Sequence, residues 1–192
     1  MVLAAAPALA ASPPTGVAAP EPGDMTLGSA KARVTVIEYA SVGCPHCAVW
    51  NRDVFPTLRA KYIDTGKVRF VMREMITGDP TLATAGFMLA RCAGPAKYFQ
   101  VVDQVYRRQP EIYAKAGAAG EVLEDIAKQA GMDEAAFQAC ISDQKGLDAL
   151  NARVKQHDQD HVDSTPTFFV NGKLYPQLPV DGLDAAIRGG HR

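Results

Sequence analysis

No apolar run in the 192-residue chain approaches the roughly 18 residues of a membrane-spanning helix. Neither charge is in excess: 20 Lys and Arg stand against 21 Asp and Glu. A transmembrane helix is therefore not expected, and neither is a broad electrostatic field for nucleic acid or an anionic membrane. Internal repeats and sustained heptads are also missing, which excludes solenoids, collagen and coiled coils. With 47% apolar and 21% charged residues, the chain can build a core, so wholesale disorder is excluded too. Only four cysteines occur, and their arrangement carries the most information.

Basic residues are absent before Lys31. Residues 2–10 are small and apolar, and Ala8-Leu9-Ala10 has the A-x-A form of a signal-peptide cleavage site. A basic n-region is lacking. The start then reads as a signal remnant trimmed upstream, a start set too late, or an Ala-rich tail. The expectation is export to an oxidising compartment, the periplasm. Residues 11–24 are rich in Ala, Pro and Gly without periodicity and read as a flexible leader, giving a first segment of 1–25.

Residues 34–39 form a β-branched and aromatic run expected as a buried strand, followed by a turn at 41–43. Residues 45–62 carry Val49, Trp50, Val54, Phe55, Leu58 and Tyr62 near helical spacing, with Pro56 expected to kink the helix. A second strand at 68–72 completes a βαβ unit, expected as a right-handed parallel crossover. Helices are expected at 82–92, at 98–107 with an end near Pro110, at 121–130, at 134–141 capped by Asp133, and at 147–157. A hairpin follows: strand 167–170, the turn Asn171-Gly172, strand 173–175. Asp181 can cap a last helix through Arg188. The order predicts an α/β fold, a thioredoxin-like core (26–80 and 162–192) with an inserted helical domain (81–161).

Cys44-Pro45-His46-Cys47 follows a predicted strand and opens a helix. The C-x-x-C spacing brings two sulfurs within bonding reach. The helix start offers Cys44 unpaired N–H groups and the positive dipole end, which favour thiolate over thiol. His46 adds a further donor or positive charge. Stabilising the thiolate stabilises the reduced form, so the disulfide becomes a stronger oxidant; a fall of two pKa units is worth roughly 60 mV in a two-electron couple. A half zinc site lacks a second C-x-x-C or a His pair at finger spacing. Haem attachment lacks a histidine after Cys47, where Ala48 stands. A purely structural disulfide remains as the bland alternative.

Cys-Pro-His-Cys after the strand, with Ser164-Thr165-Pro166-Thr167-Phe168-Phe169-Val170-Asn171-Gly172 downstream, resembles the DsbA family of bacterial thiol–disulfide oxidoreductases over residues 26–188. The resemblance implies that Cys44 is the exposed nucleophile and Cys47 the buried resolving cysteine, with Pro45 and His46 tuning the potential. It implies a cis bond at Thr165-Pro166, where Thr-Pro-Thr alone would ordinarily be trans. The Thr165 backbone would then meet an extended substrate by short β-type pairing. It makes Glu38 a buried acid moving protons at Cys47; the lesser alternative is a solvated edge carboxylate. Asn51 stands where some relatives have an acid and receives no role.

Function follows from the resemblance: a periplasmic oxidase passing the Cys44–Cys47 disulfide to unfolded or folding exported proteins with free cysteines through a mixed disulfide at Cys44. A DsbB-type membrane quinone reductase would reoxidise it. No metal, organic cofactor or nucleic acid is expected, and a monomer is. Isomerase or reductase activity at the same site is the alternative. The short segment before the core argues against a dimeric isomerase with its own dimerisation domain. A peptide-binding chaperone with a spectator disulfide is the alternative from another class. Cys92 and Cys140, on two predicted helices of the insert, read as a structural disulfide in an oxidising compartment or as two buried thiols; four-cysteine members of the family carry such a bridge. His157 and His161 lack the Glu of H-E-x-x-H and read as a solvated helix end. Trp50, Met72, Met75, Met88, Phe87 and Phe99 read as core.

Overall fold

The fold is that of a computed structural model, which describes residues 19–189; the A-x-A segment and leader residues 11–18 lie outside the described residues. Its central strand is β2 (Val34–Ala40). Alternation places Val34, Val36, Glu38 and Ala40 on one face and Thr35, Ile37 and Tyr39 on the other. β2 pairs in parallel with β3 (Val68–Glu74), from Val34 opposite Val68 to Ala40 opposite Glu74. The connection runs through α1 (Pro45–Asp53), α2 (Phe55–Leu58) and a π-helical turn at Arg59–Ile63. This is the expected βαβ unit. The helix breaks at Val54, just ahead of Pro56, whose ring lacks an N–H and crowds the carbonyl of the preceding turn.

On its other side β2 pairs antiparallel with β4 (Thr167–Val170), which forms a hairpin with β5 (Lys173–Tyr175). Asn171 (φ 45) and Gly172 (φ 83) supply the two left-handed residues such a turn needs. β1 (Met25–Leu27) adds an antiparallel edge to β3, giving the order β1-β3-β2-β4-β5. The face bearing Val36, Phe70 and Phe168 packs against Trp50, Phe55 and Phe99 and against α8 (Val180–Gly189) through Leu183, Ala186 and Ile187. Asp181 lies inside the first turn of α8 rather than at its cap.

Between β3 and β4 come α3 (Pro80–Cys92), α4 (Tyr98–Ala114), α5 (Ala118–Gln129), α6 (Glu134–Ile141) and α7 (Gln144–His157). Asp79 caps α3 by accepting from the N–H groups of Thr81 and Leu82; Asp133 caps α6 by accepting from that of Ala136. Cys92 and Cys140 are joined, tying α3 to α6 across 48 residues of chain. Closing that loop restricts the unfolded chain by about 4 kcal/mol on the chain-entropy model. Replacing both cysteines by alanine is expected to lower unfolding free energy by about that amount, read from urea melts with midpoint and slope both fitted, since the opened chain exposes more surface when unfolded. A loss below about 1 kcal/mol would show that the bridge does not act through the unfolded chain.

Three further expectations are corrected. α4 does not end near Pro110 but continues through it to Ala114. The last turn is held from outside: Ile112 is buried, and Gln109 and Tyr113 bond to the loop before α1. The leader reading fails for residues 19–24. The buried Arg73 guanidinium donates to Ala19 O at 3.1 Å, pairs with Glu21 and Asp24, and also reaches Tyr39 Oη and Asp160. A guanidinium away from water must find acceptors for its fork of donors, and it draws them from distant segments. His157 is not solvated but 3% exposed, edge-on to Tyr39 with Nδ1 at 3.2 Å from Glu74 O. His161 is exposed.

Candidate active site

β2 delivers the chain through Ser41, Val42 and Gly43 to the mouth of α1. Cys44 is the N-cap, with extended backbone (φ −97, ψ 120), and Pro45 occupies the first turn, where its missing N–H costs nothing. Because β4 runs antiparallel to β2 with Thr167 opposite Tyr39, the segment entering β4 reaches the same end of the sheet. The Thr165-Pro166 bond there is cis, and Cys44 Sγ lies 3.4 Å from Thr165 O. The site thus joins the two motifs, 121 residues apart.

Cys44 is only 6% exposed, which corrects the expectation of an exposed nucleophile. Thr165 covers it on one side, while Pro45 and His46 stand exposed at the lip. Cys47 is fully buried. Both cysteines are thiols in this structure.

The two sulfurs are tuned in opposite directions. The Cys47 thiol donates to Cys44 and is the largest influence pulling the Cys44 pKa down to about 5, against the upward push of burial; the Thr165 hydroxyl and the backbone N–H groups of Cys47 and His46 add to the fall. Cys47 is driven far above the ordinary thiol range by burial, then by its bond to Cys44 and the charge of Glu38. Glu38, 2% exposed on the central strand, is no edge carboxylate. Burial, then the Cys44 charge, raises it to about 8. Two titratable groups pushed apart in pKa beside a third poised near neutrality suit proton transfer coupled to thiol exchange.

Several supporting residues carry no sequence signal. Gln109 Nε2 donates to Val42 O at 2.8 Å and Tyr113 Oη to Gly43 O at 2.9 Å, so the last turns of α4 hold the carbonyls leading into Cys44. The loop between β3 and α3 closes on the same segment. Asp79 N donates to Gly43 O at 3.1 Å, and a Cβ on Gly78 (φ +73) would meet that oxygen at 2.1 Å. Only glycine tolerates that approach. Asn51 is buried and donates to Asp103. Trp50 donates from Nε1 to Leu178 O at 2.8 Å. Among the described residues no three His, Cys, Asp or Glu side chains gather as a metal would need, and no helix is long and apolar enough to cross a membrane.

Residues 20–188 match the thioredoxin family model. The chain belongs to the thioredoxin family. Its fold is thioredoxin-like with a helical insertion, and it resembles DsbA proteins. It is similar to alpha-DsbA1 of Wolbachia pipientis, with 27% identity, a TM-score of 0.78, and coverage of 90% of this chain and 92% of that one. A putative protein-disulfide oxidoreductase of Rickettsia bellii is 33% identical over 85% of this chain and 63% of its own length. Disulfide bond formation protein D of Bacillus subtilis is 26% identical over 79% of this chain and 69% of its own. The chain thus spans about three fifths of the length of the rickettsial relatives it matches.

Proposed function

We propose that this chain is a DsbA-like protein dithiol:disulfide oxidoreductase that oxidises thiols in exported proteins. The observation that carries the reading is geometric: Cys44 caps the mouth of α1 with its sulfur 3.4 Å from Thr165 O, beside the cis Thr165-Pro166 bond, and the fully buried Cys47 follows one turn later. In the oxidised form a client thiolate attacks Cys44 Sγ; the client–Cys44 bond forms and the Cys44–Cys47 bond breaks. The electron pair leaves on Cys47, which takes a proton at once because its thiolate is strongly disfavoured. Glu38, neutral below about pH 8, is the proton source. A second client thiolate then attacks the client sulfur of the mixed disulfide. Cys44 leaves as a stable thiolate, which makes this step fast and downhill. The client has lost two electrons and gained a disulfide, and the enzyme holds them as a dithiol.

Beside Cys44, α1 and α4 form a groove of about 500 Å³ lined in part by Pro45, Val49, Pro110 and Tyr113. It can seat an apolar side chain of a client, while main-chain pairing at Thr165 accepts many sequences. The chain acts as a monomer in the periplasm on this reading. Reoxidation falls to a DsbB-type quinone-linked membrane protein.

Equilibration with glutathione buffers tests the assignment, with Trp50, packed 4.6 Å from Phe168 and one turn past Cys47, as the fluorescent reporter. A potential well above the roughly −270 mV of thioredoxin is expected; a value near that figure would overturn the oxidase role. Scrambled-ribonuclease repair exceeding thiol oxidation would favour an isomerase instead.

A further inference from the structure

We propose that Thr77 is a positioning residue for exchange at Cys44: its hydroxyl lies 2.6 Å from the Thr165 hydroxyl, donates to it, and so leaves the Thr165 proton free for the neighbouring Cys44 thiolate, whose sulfur lies 3.4 Å from Thr165 O. The inference rests on the reading of Cys44 as the nucleophile.

Each threonine has one hydroxyl proton, so the pair has two donor orders. If Thr165 donates to Thr77, its lone pairs face the sulfur, which a thiolate disfavours. If Thr77 donates to Thr165, the Thr165 proton is released toward Cys44. A negative sulfur selects the second order. A neutral Cys44 thiol instead donates to Thr165 O, 3.4 Å away, and the hydroxyl pair can reverse. The pair is thus a two-state relay set by the charge on Cys44.

The geometry is held without the Thr77 side chain. Ser41 Oγ donates to Thr77 O at 2.8 Å and accepts from Thr77 N at 3.3 Å. Asp79 N bonds Gly43 O at 3.1 Å, and Gly78 packs face to face with Gly43. The loop between β3 and α3 is therefore bound to the turn before Cys44 by backbone and by Ser41, and loss of the hydroxyl leaves it in place. The other titratable groups about Cys44 stay unchanged: Glu38 from β2, Cys47 and His46 from α1, Tyr106 and Tyr113 from α4, and Asp79 ahead of α3.

The test is titration of the Cys44 thiolate by its ultraviolet absorbance in reduced wild type, Thr77→Val, Thr77→Ala and Thr77→Ser, with the glutathione equilibrium constant measured on each. Val and Ala are expected to raise the Cys44 pKa by about half to one unit, a fraction of a direct hydrogen bond to a charge. They should weaken the oxidant by about threefold to tenfold at pH 7, in step with that shift. Ser keeps the hydroxyl and is expected to titrate as wild type. An unshifted pKa in Val and Ala, or a shift in Ser as large as in Val, overturns the relay. A wild-type Cys44 that itself titrates near 9 overturns the nucleophile reading beneath it, a separate result visible before any variant is compared.

Discussion

Cys44→Ser is expected to abolish thiol oxidation, by about a thousandfold or more, because a serine oxygen can neither carry the disulfide nor leave as a stabilised anion. Cys47→Ser should behave differently. Its Cys44 remains a nucleophile at the helix mouth, attacks client disulfides and stays attached, since the resolving sulfur is gone. Incubation of the oxidised wild type and of Cys44→Ser with a dithiol peptide, and of Cys47→Ser with a single-cysteine peptide held as its glutathione mixed disulfide, so that glutathione leaves as the thiol, followed by mass spectrometry under acid quench, separates the two. Wild type yields oxidised peptide, Cys44→Ser yields none, and Cys47→Ser accumulates enzyme–peptide adducts. Full oxidation by Cys44→Ser would leave the pair a spectator and favour a peptide-binding chaperone.

The second large effect is on stability, and it differs between redox forms. In the folded reduced protein the hydrogen bond from Cys47 pulls the Cys44 pKa down to about 5, against the 9.0 of a free thiol. Between those values the unfolded chain binds more protons, so reduced-state stability rises with pH and the gain is lost as pH falls through about 5. At pH 7 two units of that span are realised, about 2 kcal/mol after allowance for solvent at the mouth. The oxidised form has no Cys44 thiolate and lacks this gain. Glu38 works in the opposite sense. Raised from 4.5 to about 8, it holds its proton when folded, and its contribution is lost as pH rises through that window. Part of that rise comes from the Cys44 charge and so belongs to the reduced form. The reduced-minus-oxidised difference in unfolding free energy, from urea melts between pH 5 and 7, should therefore grow by about 2 kcal/mol. Glu38→Gln should steepen the slope. A flat difference would mean that Cys44 titrates alike in folded and unfolded chains.

The same groups mark how far sequence reading reaches. Cys-Pro-His-Cys was legible because strand, turn, cysteine and helix start are adjacent in the chain, so the field at Cys44 is a local property. The hairpin at Asn171-Gly172 and the cap at Asp133 are local in the same way. Glu38 was legible only as a choice between a solvated and a buried carboxylate. The order β1-β3-β2-β4-β5, which makes its strand central, resolved that choice.

Residues 19–24, His157 and the last turn of α4 misled for a common reason. A segment rich in Ala, Pro and Gly, a histidine at a helix end and a proline within a helix each take their ordinary meaning from neighbours in sequence. Here distant partners override it: Glu21, Asp24 and Asp160 around Arg73, Tyr39 and Glu74 beside His157, and Val42 and Gly43 bonded to Gln109 and Tyr113. Thr77 had no sequence signal, since a threonine in a loop becomes informative only when another hydroxyl lies 2.6 Å away. The sequence by itself determined the architecture and the place of the cysteine pair at a helix mouth, because periodicity, turn chemistry and a helix mouth are short-range. Tertiary structure alone decided the burial of Cys44 and Glu38 and which residues hold the thiolate, because desolvation and hydrogen-bond geometry depend on what the folded chain brings from elsewhere.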